Sequence, residues 1–510
     1  MRLVMNRRDF LALTGAGAAM AAASSLPVWG TGCGAAPGAH QIYFDRFGVT
    51  DRILRRVLEK GLSRGGHFSE IFLQHKISHW TGMQDGEVNR AFSQVDLGAG
   101  IRVLKGEATG FAYCEDLTEE ALMSAAETAA AVADTSVLAR PEPLAAANVV
   151  NRYPLDVPWC DVGTDQKLPL ITRVNDVVRS VDDRIVRVTV FLGDETSRIL
   201  IANSEGRLVE DDQPMAIMYL NCVAADGNRV ESANDGISSR DGLAYFTPDR
   251  LDGMSRAVGA DVLEMFSAVP PPVGEIPVVL AAGTSGILLH EAIGHGMEAD
   301  FNRKGTSIYS DMIGKRVAKS EVTIVDDGTN DRLRGSINID DEGAVGQRTV
   351  LVEDGILRSY LHDRISAKHY GVDSTGSGRR QSFRYPPNPR MRNTYMESGP
   401  HTKEEIIASI DKGIYAQQFN NGEVRIGAGD FTFYLRQGRM IENGKLTSMI
   451  KDANLIGNGP TVLESIDMVG NDKSYYSGGG NCGKDGQFVP VGFGLPTVRA
   501  GGISVGGRNA

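Results

Sequence analysis

Two histidines with a glutamate between them lie within one apolar run of the sequence, residues 287–298. His290 and Glu291 are adjacent, and His295 follows five residues after His290. Helices that carry a hydrolytic metal usually place two histidines four residues apart on one face, with a glutamate beside the first. Five residues instead put the two side chains roughly 140° apart on a regular helix, too far for one shared ion.

A locally widened turn would bring the two rings together. A π-bulge has this effect, and such bulges are frequent at functional sites. Gly294, directly before His295, lowers the steric barrier to a bulge although it weakens the helix. The spacing therefore predicts a distorted metal-binding helix. The alternative is two ordinary histidines and a surface glutamate.

A catalytic zinc site needs three protein ligands and an open position for water. A third histidine six residues after the second is absent, because position 301 is Phe. Glu298 and Asp300 follow closely, and roles in supporting a ligand or capping a helix suit them as well. His362 and His369 are possible ligands without a supporting spacing.

Cys482 is the more interesting candidate for the third ligand. It lies in a glycine-rich stretch, residues 475–487, whose backbone can approach a bound group closely. A thiolate is a good zinc ligand, and Lys484 nearby would favour the ionised form. The alternative is a buried, inert thiol, and spacing alone does not separate the two.

The composition limits the classes of function. At 510 residues the chain is expected to form two or three domains, and 42% hydrophobic with 23% charged residues is ordinary for a soluble globular protein. A net charge of −11 argues against a nucleic-acid partner. Five cysteines without a Cys-x-x-Cys pair indicate neither a disulfide scaffold nor a zinc ribbon.

The N-terminus carries a twin arginine, Arg7-Arg8, followed by Asp-Phe-Leu and an apolar stretch rich in Ala and Gly. This pattern predicts a twin-arginine export signal and flexible segment over residues 1–39, and therefore a periplasmic or other extracytoplasmic location. A short membrane anchor is the alternative. Cys33 is a candidate lipid anchor, although Gly30 stands where lipoprotein signals carry Leu.

The pattern of elements predicts an α+β fold in two domains. Residues 40–268 alternate helices with a meander of strands, which is typical of an α+β domain with an antiparallel sheet. The proline run 270–272 is the best boundary. Residues 273–510 are expected to form a β-rich domain that carries the metal-binding helix. We expect strands at 185–192, 197–203 and 336–339, and helices at 119–133, 166–181 and 403–410. Residues 413–507 are expected to form strands and turns throughout. His67, His75 and His79 are interpreted as sheet histidines.

Several runs together resemble the TldD branch of the TldD/PmbA peptidase family. They are residues 280–307, which contain the His-Glu-x-x-x-His motif, residues 465–472, the Asn-Cys-Gly-Lys-Asp-Gly-Gln run 481–487, residues 489–497 and 505–507, and shorter runs at 106–112 and 413–419. The resemblance extends from about residue 45 to the end. The partner branch of the family lacks the metal motif that this sequence has.

The resemblance implies a zinc metallopeptidase with His290, His295 and Cys482 as Zn²⁺ ligands and Glu291 as the general base that activates a zinc-bound water. It implies homodimers, or heterodimers with a PmbA/TldE-like subunit, that cleave unfolded or modified peptides. Cleavage with little side-chain specificity suggests that the peptide is held through its backbone as an added strand. Arg379, Arg380 and Arg384 are candidates for stabilising the oxyanion. The predicted export signal is a difference from the family, because its well-known members are cytoplasmic.

Two other classes of function remain open from the sequence. One is a scaffold subunit that binds peptides for an active partner in a heteromeric peptidase. The intact set of histidines, glutamate and cysteine argues against it. The other is a zinc-dependent hydrolase that acts on a non-peptide amide.

Overall fold

The structure is a computed structural model that describes residues 42–133 and 139–507. The predicted export signal and Cys33 lie outside these residues. The predicted α+β class is confirmed, because antiparallel sheets combine with separate helices. No helix in the described ranges is long and apolar enough to cross a membrane.

The first sheet is built from very long strands. Its members are β1 (Phe68–Gln84), β2 (Glu87–Lys105), β3 (Ala108–Cys114), β4 (Ala145–Ala146), β5 (Ile185–Asn203), β6 (Arg207–Asp226) and β7 (Arg229–Ser239). The order is β3-β2-β1-β5-β6-β4, and β7 pairs with β6. All neighbours are antiparallel except β4 and β6.

The prediction of two separate strands over 185–192 and 197–203 was wrong, since β5 is continuous. Asp194 and Thr196 stay paired with Ala216 and Pro214 of β6. The polar residues between these two ranges are stabilised within the sheet, because the Asp194 carboxylate is 2.7 Å from Lys167 Nζ. This ion pair compensates the carboxylate for the water contacts that it would have in an exposed turn.

Four helices cover this sheet: α1 (Asp51–Leu62), α2 (Glu119–Ala130), α3 (Thr164–Arg179) and α4 (Pro248–Glu264). The first two contribute to one apolar cluster and the last two to another. The Thr118 hydroxyl accepts a hydrogen bond from the Ala121 amide and caps α2, at the start that the sequence predicted. Short 3₁₀ turns lie at Tyr43–Phe47, Trp159–Asp161, Leu243–Tyr245 and Met265–Ser267.

The second half is rich in short strands, as predicted. They are β8 (Gly274–Glu275), β9 (Val278–Leu280), β10 (Ile324–Asp327), β11 (Arg348–Glu353), β12 (Ile356–Leu357), β13 (Gly378–Arg379), β14 (Asn388–Pro389), β15 (Asn393–Met396), β16 (Lys412–Arg425), β17 (Asp430–Glu442), β18 (Lys445–Asn458), β19 (Met468–Val469), β20 (Ser474–Tyr475), β21 (Gly480–Lys484), β22 (Gln487–Leu495), β23 (Val498–Ala500) and β24 (Ser504–Gly507).

Two larger sheets organise these strands. One has the order β19-β23-β9-β16-β17-β18-β24-β8, and the other β12-β11-β10-β15-β22-β20 with β21 on β22. The helices here are α5 (Gly286–Leu289), α6 (Ala299–Arg303), α7 (Arg364–Tyr370), α8 (Lys403–Ala408) and α9 (Gly459–Ser465). The Thr402–Glu405 capping box of α8 forms as predicted.

Two predictions in this half were wrong. Residues 413–507 are not strands and turns throughout, because α9 lies among them, with the Asn458 side chain accepting a hydrogen bond from the Thr461 amide. Residues 336–339 are not a strand, since only Ile339 forms an isolated bridge, to Val345. Their polar groups bond elsewhere: the Asn338 side-chain amide donates to Asp211 at 2.7 Å, in the first half of the chain.

Candidate metal centre

The run from Gly286 to Met297 changes helix type twice. The α-helical turn Gly286–Leu289 is followed by a π-helical turn, His290–Gly294, and then by a 3₁₀ turn, His295–Met297. A π turn places residues i and i+5 on one side of the helix. The widened turn that the histidine spacing required is therefore present in the structure.

Gly294 is needed for a reason other than backbone freedom. Its φ of −58° and ψ of −48° are ordinary helical values that any residue adopts. A Cβ at this position would overlap the sulfur of Met391, which is fully buried, and would lie 3.1 Å from its Cε. The glycine thus provides space for a close approach between the widened turn and Met391.

Three side chains from two distant parts of the chain meet beside this turn. The ligand-type atoms of His290, His295 and Cys482 all lie within 4.8 Å of one another. Cys482 Sγ is 3.3 Å from His295 Nε2, and the two imidazole rings are 5.2 Å apart at an interplanar angle of 82°. Cys482 arrives on β21, in the hairpin that β21 forms with β22.

The chemistry of these residues fits a bound metal ion. All three side chains are buried, and neither ring nitrogen of His290 has a hydrogen-bond partner among the described residues. A buried imidazole without partners is costly, and a metal bond removes that cost. Two imidazoles with one thiolate, all at one point, form a three-ligand set with room for a fourth position.

The charges of the cluster favour an ionised thiol. Burial alone raises the pKa of Cys482, but the charges of His295 and His290 outweigh it and hold this pKa well below its ordinary value. Burial lowers the pKa of His295, whereas Glu298 and Cys482 raise it well above the ordinary value. The thiolate form is the one that binds metal.

The Lys484 ammonium pairs with two carboxylates beside the cluster. Its Nζ lies 3.0 Å from Glu298 and 2.7 Å from Asp300, in a buried ion-pair cluster. Cys482 and Lys484 are two residues apart on β21 and share its buried face, so the lysine reaches the carboxylates beside the cysteine. The Lys484 charge stabilises the ionised form of Glu298, which contacts His295.

Glu298 orients one of the two histidines. Its Oε2 accepts a hydrogen bond from His295 Nδ1 at 3.0 Å, which leaves Nε2 facing Cys482. Burial raises the pKa of Glu298, but Lys484 and His295 lower it to about 2, so this carboxyl is ionised at neutral pH. A carboxylate on the far nitrogen of a ligating histidine fixes its tautomer and ring orientation. Glu298 makes no side-chain cap for α6.

Glu291 differs from these groups because its side chain reaches solvent. The side chain is 19% exposed, and its Oε2 is 3.7 Å from His295 Nε2. It therefore lies at the rim of the cluster on the side that water can enter. A carboxylate in this place can exchange protons with a bound water.

Comparisons with known proteins match three parts of the chain to one family. The PmbA/TldA metallopeptidase domain 1 matches residues 69–133, the central domain matches residues 158–266, and the C-terminal domain matches residues 273–507. The chain belongs to the PmbA/TldA metallopeptidase family. The resemblance seen in the sequence is thereby confirmed.

Named relatives match this chain over nearly its whole length. A metalloprotease TldD homolog from Buchnera aphidicola is 37% identical over 466 residues, 90% of this chain and 96% of its own. The homolog from Haemophilus influenzae is 38% identical over 450 residues, 87% of this chain and 93% of its own. These names support a metal-dependent protease family.

Solved structures show the same fold at low sequence identity. TldE from Thermococcus kodakarensis has a TM-score of 0.69 and 20% identity, and the match covers 88% of this chain and 100% of that one. A crystal structure from Thermotoga maritima has a TM-score of 0.73 and 19% identity, with 91% and 100% covered.

Other histidines of the chain lie away from the cluster. His362 packs against the rings of Tyr360 and Tyr370, and His369 contacts Glu107 at 2.7 Å. Neither belongs to the metal-type cluster. His75 bonds to the Tyr43 hydroxyl and His79 to Asp194, both within the first half of the chain. His67 directly precedes β1 and lies beside Arg364 and Lys368 of the second half.

The three arginines suggested for the oxyanion have other partners. Arg380 pairs with Glu70 at 2.5 Å, and Arg384 pairs with Glu115 at 2.8 Å, so both join the two halves of the chain. Arg379 donates to the main-chain carbonyls of Met391 and Pro490.

An arginine that the sequence did not single out contacts the main chain at Cys482. Arg390 is fully buried, donates to the Cys482 main-chain carbonyl, and has its Nε 4.0 Å from Glu298. It lies within a run of basic residues and prolines, residues 384–392. Only this run of basic residues hinted at it.

Proposed function

We propose that this chain is a zinc-dependent peptidase, with His290, His295 and Cys482 as the metal ligands and Glu291 as the general base. The observation that carries the proposal is the convergence of the three ligand atoms within 4.8 Å, with Glu291 at their solvent-facing rim. Imidazole with thiolate is a donor set typical of zinc. Bound zinc would polarise the scissile carbonyl and make water more acidic.

Each residue then has a separate task. Glu291 takes a proton from the attacking water and returns it to the leaving amine, as its position beside His295 allows. Glu298 holds His295 in one tautomer, and Lys484 neutralises the buried charge of Glu298. Arg390 anchors the main chain at Cys482 and so positions the third ligand.

The substrate class in this proposal is an unfolded or modified peptide, held through its backbone as an added strand. The metalloprotease names of the relatives support peptide cleavage. From the resemblance to the TldD/PmbA family we expect a dimer, either of two copies or with a PmbA/TldE-like subunit. Mass measurement of the purified chain, alone and with such a subunit, distinguishes these two states.

The export proposal rests on the twin arginine at the N-terminus. Fractionation of expressing cells is expected to place the protein outside the cytoplasm. Replacing Arg7 and Arg8 together by lysine should retain it inside, because the pathway recognises the arginine pair. Export of the double variant at the normal level would contradict the signal.

Glu291→Gln is the direct test of the catalytic role. It keeps the shape of the side chain but removes the base, so zinc content should stay unchanged while peptide hydrolysis falls by at least about 100-fold. Glu59→Gln, on the exposed face of α1, is the matched control and should keep full activity. Full activity in Glu291→Gln would overturn the assigned role.

A further inference from the structure

A cavity of about 310 Å³ lies between the long strands of the first sheet and the hairpin that carries Cys482. We call it the arginine cavity because three arginines, Arg240, Arg334 and Arg379, are part of its lining. Asn481, the neighbour of Cys482 in the chain, lines it as well. The volume is in the range of small-ligand sites.

The three arginines have no carboxylate partner within 4.0 Å in the described part of the chain. Their hydrogen bonds go to neutral oxygens: Arg334 to the Gly480 carbonyl and the Asn481 side chain, Arg240 to a carbonyl at 3.2 Å, and Arg379 to two carbonyls. Arg240 Nε and Arg334 Nη1 are buried without any partner among the described residues.

Arg240 and Arg379 are buried and Arg334 is half-buried, and fully buried arginines elsewhere in the chain show the contrast. Arg102 has the carboxylates of Glu70 and Glu342 within 3.0 Å, and Arg392 has Asp326 at 2.7 Å. An unpaired buried charge is strongly unfavourable, whereas a paired one is tolerated. The lack of carboxylate partners around one cavity, among the residues that the structure describes, therefore indicates that an anion from outside completes it.

The acidic groups of the lining are already engaged. The Glu195 carboxylate is 2.7 Å from Lys76 Nζ, and Asp194 is 2.7 Å from Lys167. The Asp340 carboxylate accepts three main-chain amide hydrogens, and Asp341 accepts one, from Arg380. Each of these four carboxylates thus has a partner other than the three arginines.

The balance of charge favours an anion with a single charge. Five cationic side chains line the cavity against four carboxyl groups, so the lining carries a small excess of positive charge. Just outside the lining, Glu70 pairs with Arg380 and Lys167 pairs with Asp194. A carboxylate satisfies this balance, whereas a phosphate dianion would be repelled by the carboxyl groups.

The apolar part of the lining indicates which chemical group is attached to the bound carboxylate. Phe72, Trp80, Ile217, Ile337 and Phe488 supply apolar surface around the arginines. Trp80 and Phe488 are partly exposed, at 37% and 63%, so the ligand can contact aromatic rings from solvent. The cavity thus fits a group that joins a carboxylate to an apolar side chain.

We propose that the arginine cavity binds the C-terminal carboxylate of a peptide together with its apolar last side chain, through Arg240, Arg334 and Arg379. The choice of a peptide rests on the proposed peptidase function. The carboxylate site itself rests on the unpaired arginines and does not need catalysis. A guanidinium group binds a carboxylate through two parallel hydrogen bonds, and this gives the site its selectivity.

Calorimetric titration with a matched pair of small probes tests the proposal on the full chain. N-acetylphenylalanine carries the carboxylate, and N-acetylphenylalaninamide replaces it with a neutral amide. The acid should bind at least about tenfold more tightly than the amide, since charge-assisted hydrogen bonds are lost with the charge. Equal binding of the two probes would overturn the proposal.

Variants of Arg334 connect the preference to the cavity. Arg334→Gln should abolish the tenfold preference, and Arg334→Lys should keep part of it because the charge remains. Arg55→Gln, on the exposed face of α1, is the matched control and should behave like the wild type. A preserved preference in Arg334→Gln, with an unchanged circular dichroism spectrum, would refute the assignment.

Titrations with inorganic phosphate and with acetate test which kind of anion the cavity binds. Inorganic phosphate that binds more tightly than N-acetylphenylalanine would overturn the carboxylate proposal. Acetate should bind weakly to the wild type and not to Arg334→Gln, and this result would support the carboxylate proposal. Weaker binding of acetate than of N-acetylphenylalanine would show that the apolar side chain adds affinity. Glu291→Gln should give the same titrations as the wild type, so a failure of the proposed catalysis is distinguishable from a failure of this site.

Discussion

Gly294→Ala tests whether close packing against Met391 shapes the widened turn. The new methyl group would overlap the Met391 sulfur and lie 3.1 Å and 3.4 Å from its Cε and Cγ. Overpacking of a buried site costs about 1–3 kcal/mol. The replacement of glycine within a helix returns up to about 1 kcal/mol. With the full return, we expect a net loss of up to about 2 kcal/mol in the free energy of unfolding.

A double-mutant cycle with Met391→Ala isolates the contact. Met391→Ala alone leaves a cavity and should destabilise the protein by about 2–5 kcal/mol. In that background the methyl group of Ala at position 294 enters vacated space, so its cost should vanish. The coupling free energy is then about 1–3 kcal/mol, as expected for side chains in direct contact.

Urea unfolding of the four proteins, at equal zinc content and pH, measures the cycle. Gly253→Ala is the matched control, because Gly253 lies in the interior of α4 and a methyl group there would have no neighbouring atom within 4 Å. That variant should gain up to about 1 kcal/mol. If Gly294→Ala also stabilises the protein, or costs the same with and without Met391, then the packing argument is wrong.

Three further predictions concern single side chains. Cys482→Ser should reduce zinc content, and unchanged stoichiometry by metal analysis would show that Cys482 is only structural. Glu298→Gln should weaken zinc binding by about 10- to 100-fold in a chelator competition, because His295 loses its carboxylate partner; equal affinity would contradict this. Burial lowers the pKa of His362 from 6.5 to about 4. Its contribution to stability is thus fully present above pH 6.5 and is lost as pH falls through 4, about 3 kcal/mol. His362→Phe should remove this part of the pH dependence, and identical urea curves for variant and wild type at both pH 7.5 and pH 4 would refute it.

The sequence was informative where a local rule decides the structure. The i, i+5 spacing of His290 and His295 required a widened turn, and the π turn is there. Helix starts followed from capping residues such as Thr118 and Thr402, whose hydrogen bonds lie within one turn. The fold class followed from the alternation of elements and the proline boundary.

The sequence was misleading where distant residues decide the structure. Strand β5 looked interrupted at Asp194, because the sequence does not show that Lys167 neutralises that carboxylate from a helix. Gly294 looked like a source of backbone freedom, but its helical φ and ψ and its contact with Met391 give it a packing role. In each case the partner is not marked by any local periodicity.

The same limit explains the assignment of Lys484. Proximity in the chain suggested that it acts on Cys482, yet its charge is taken up by Glu298, 186 residues away. Since Glu298 also accepts a hydrogen bond from His295, one ion pair joins the hairpin of the cysteine to the turn of the histidines. The cost of burying both charges is offset only when the two segments are docked in register. The ion pair therefore positions the third ligand against the other two through contacts between protein side chains, which no spacing within either segment could indicate.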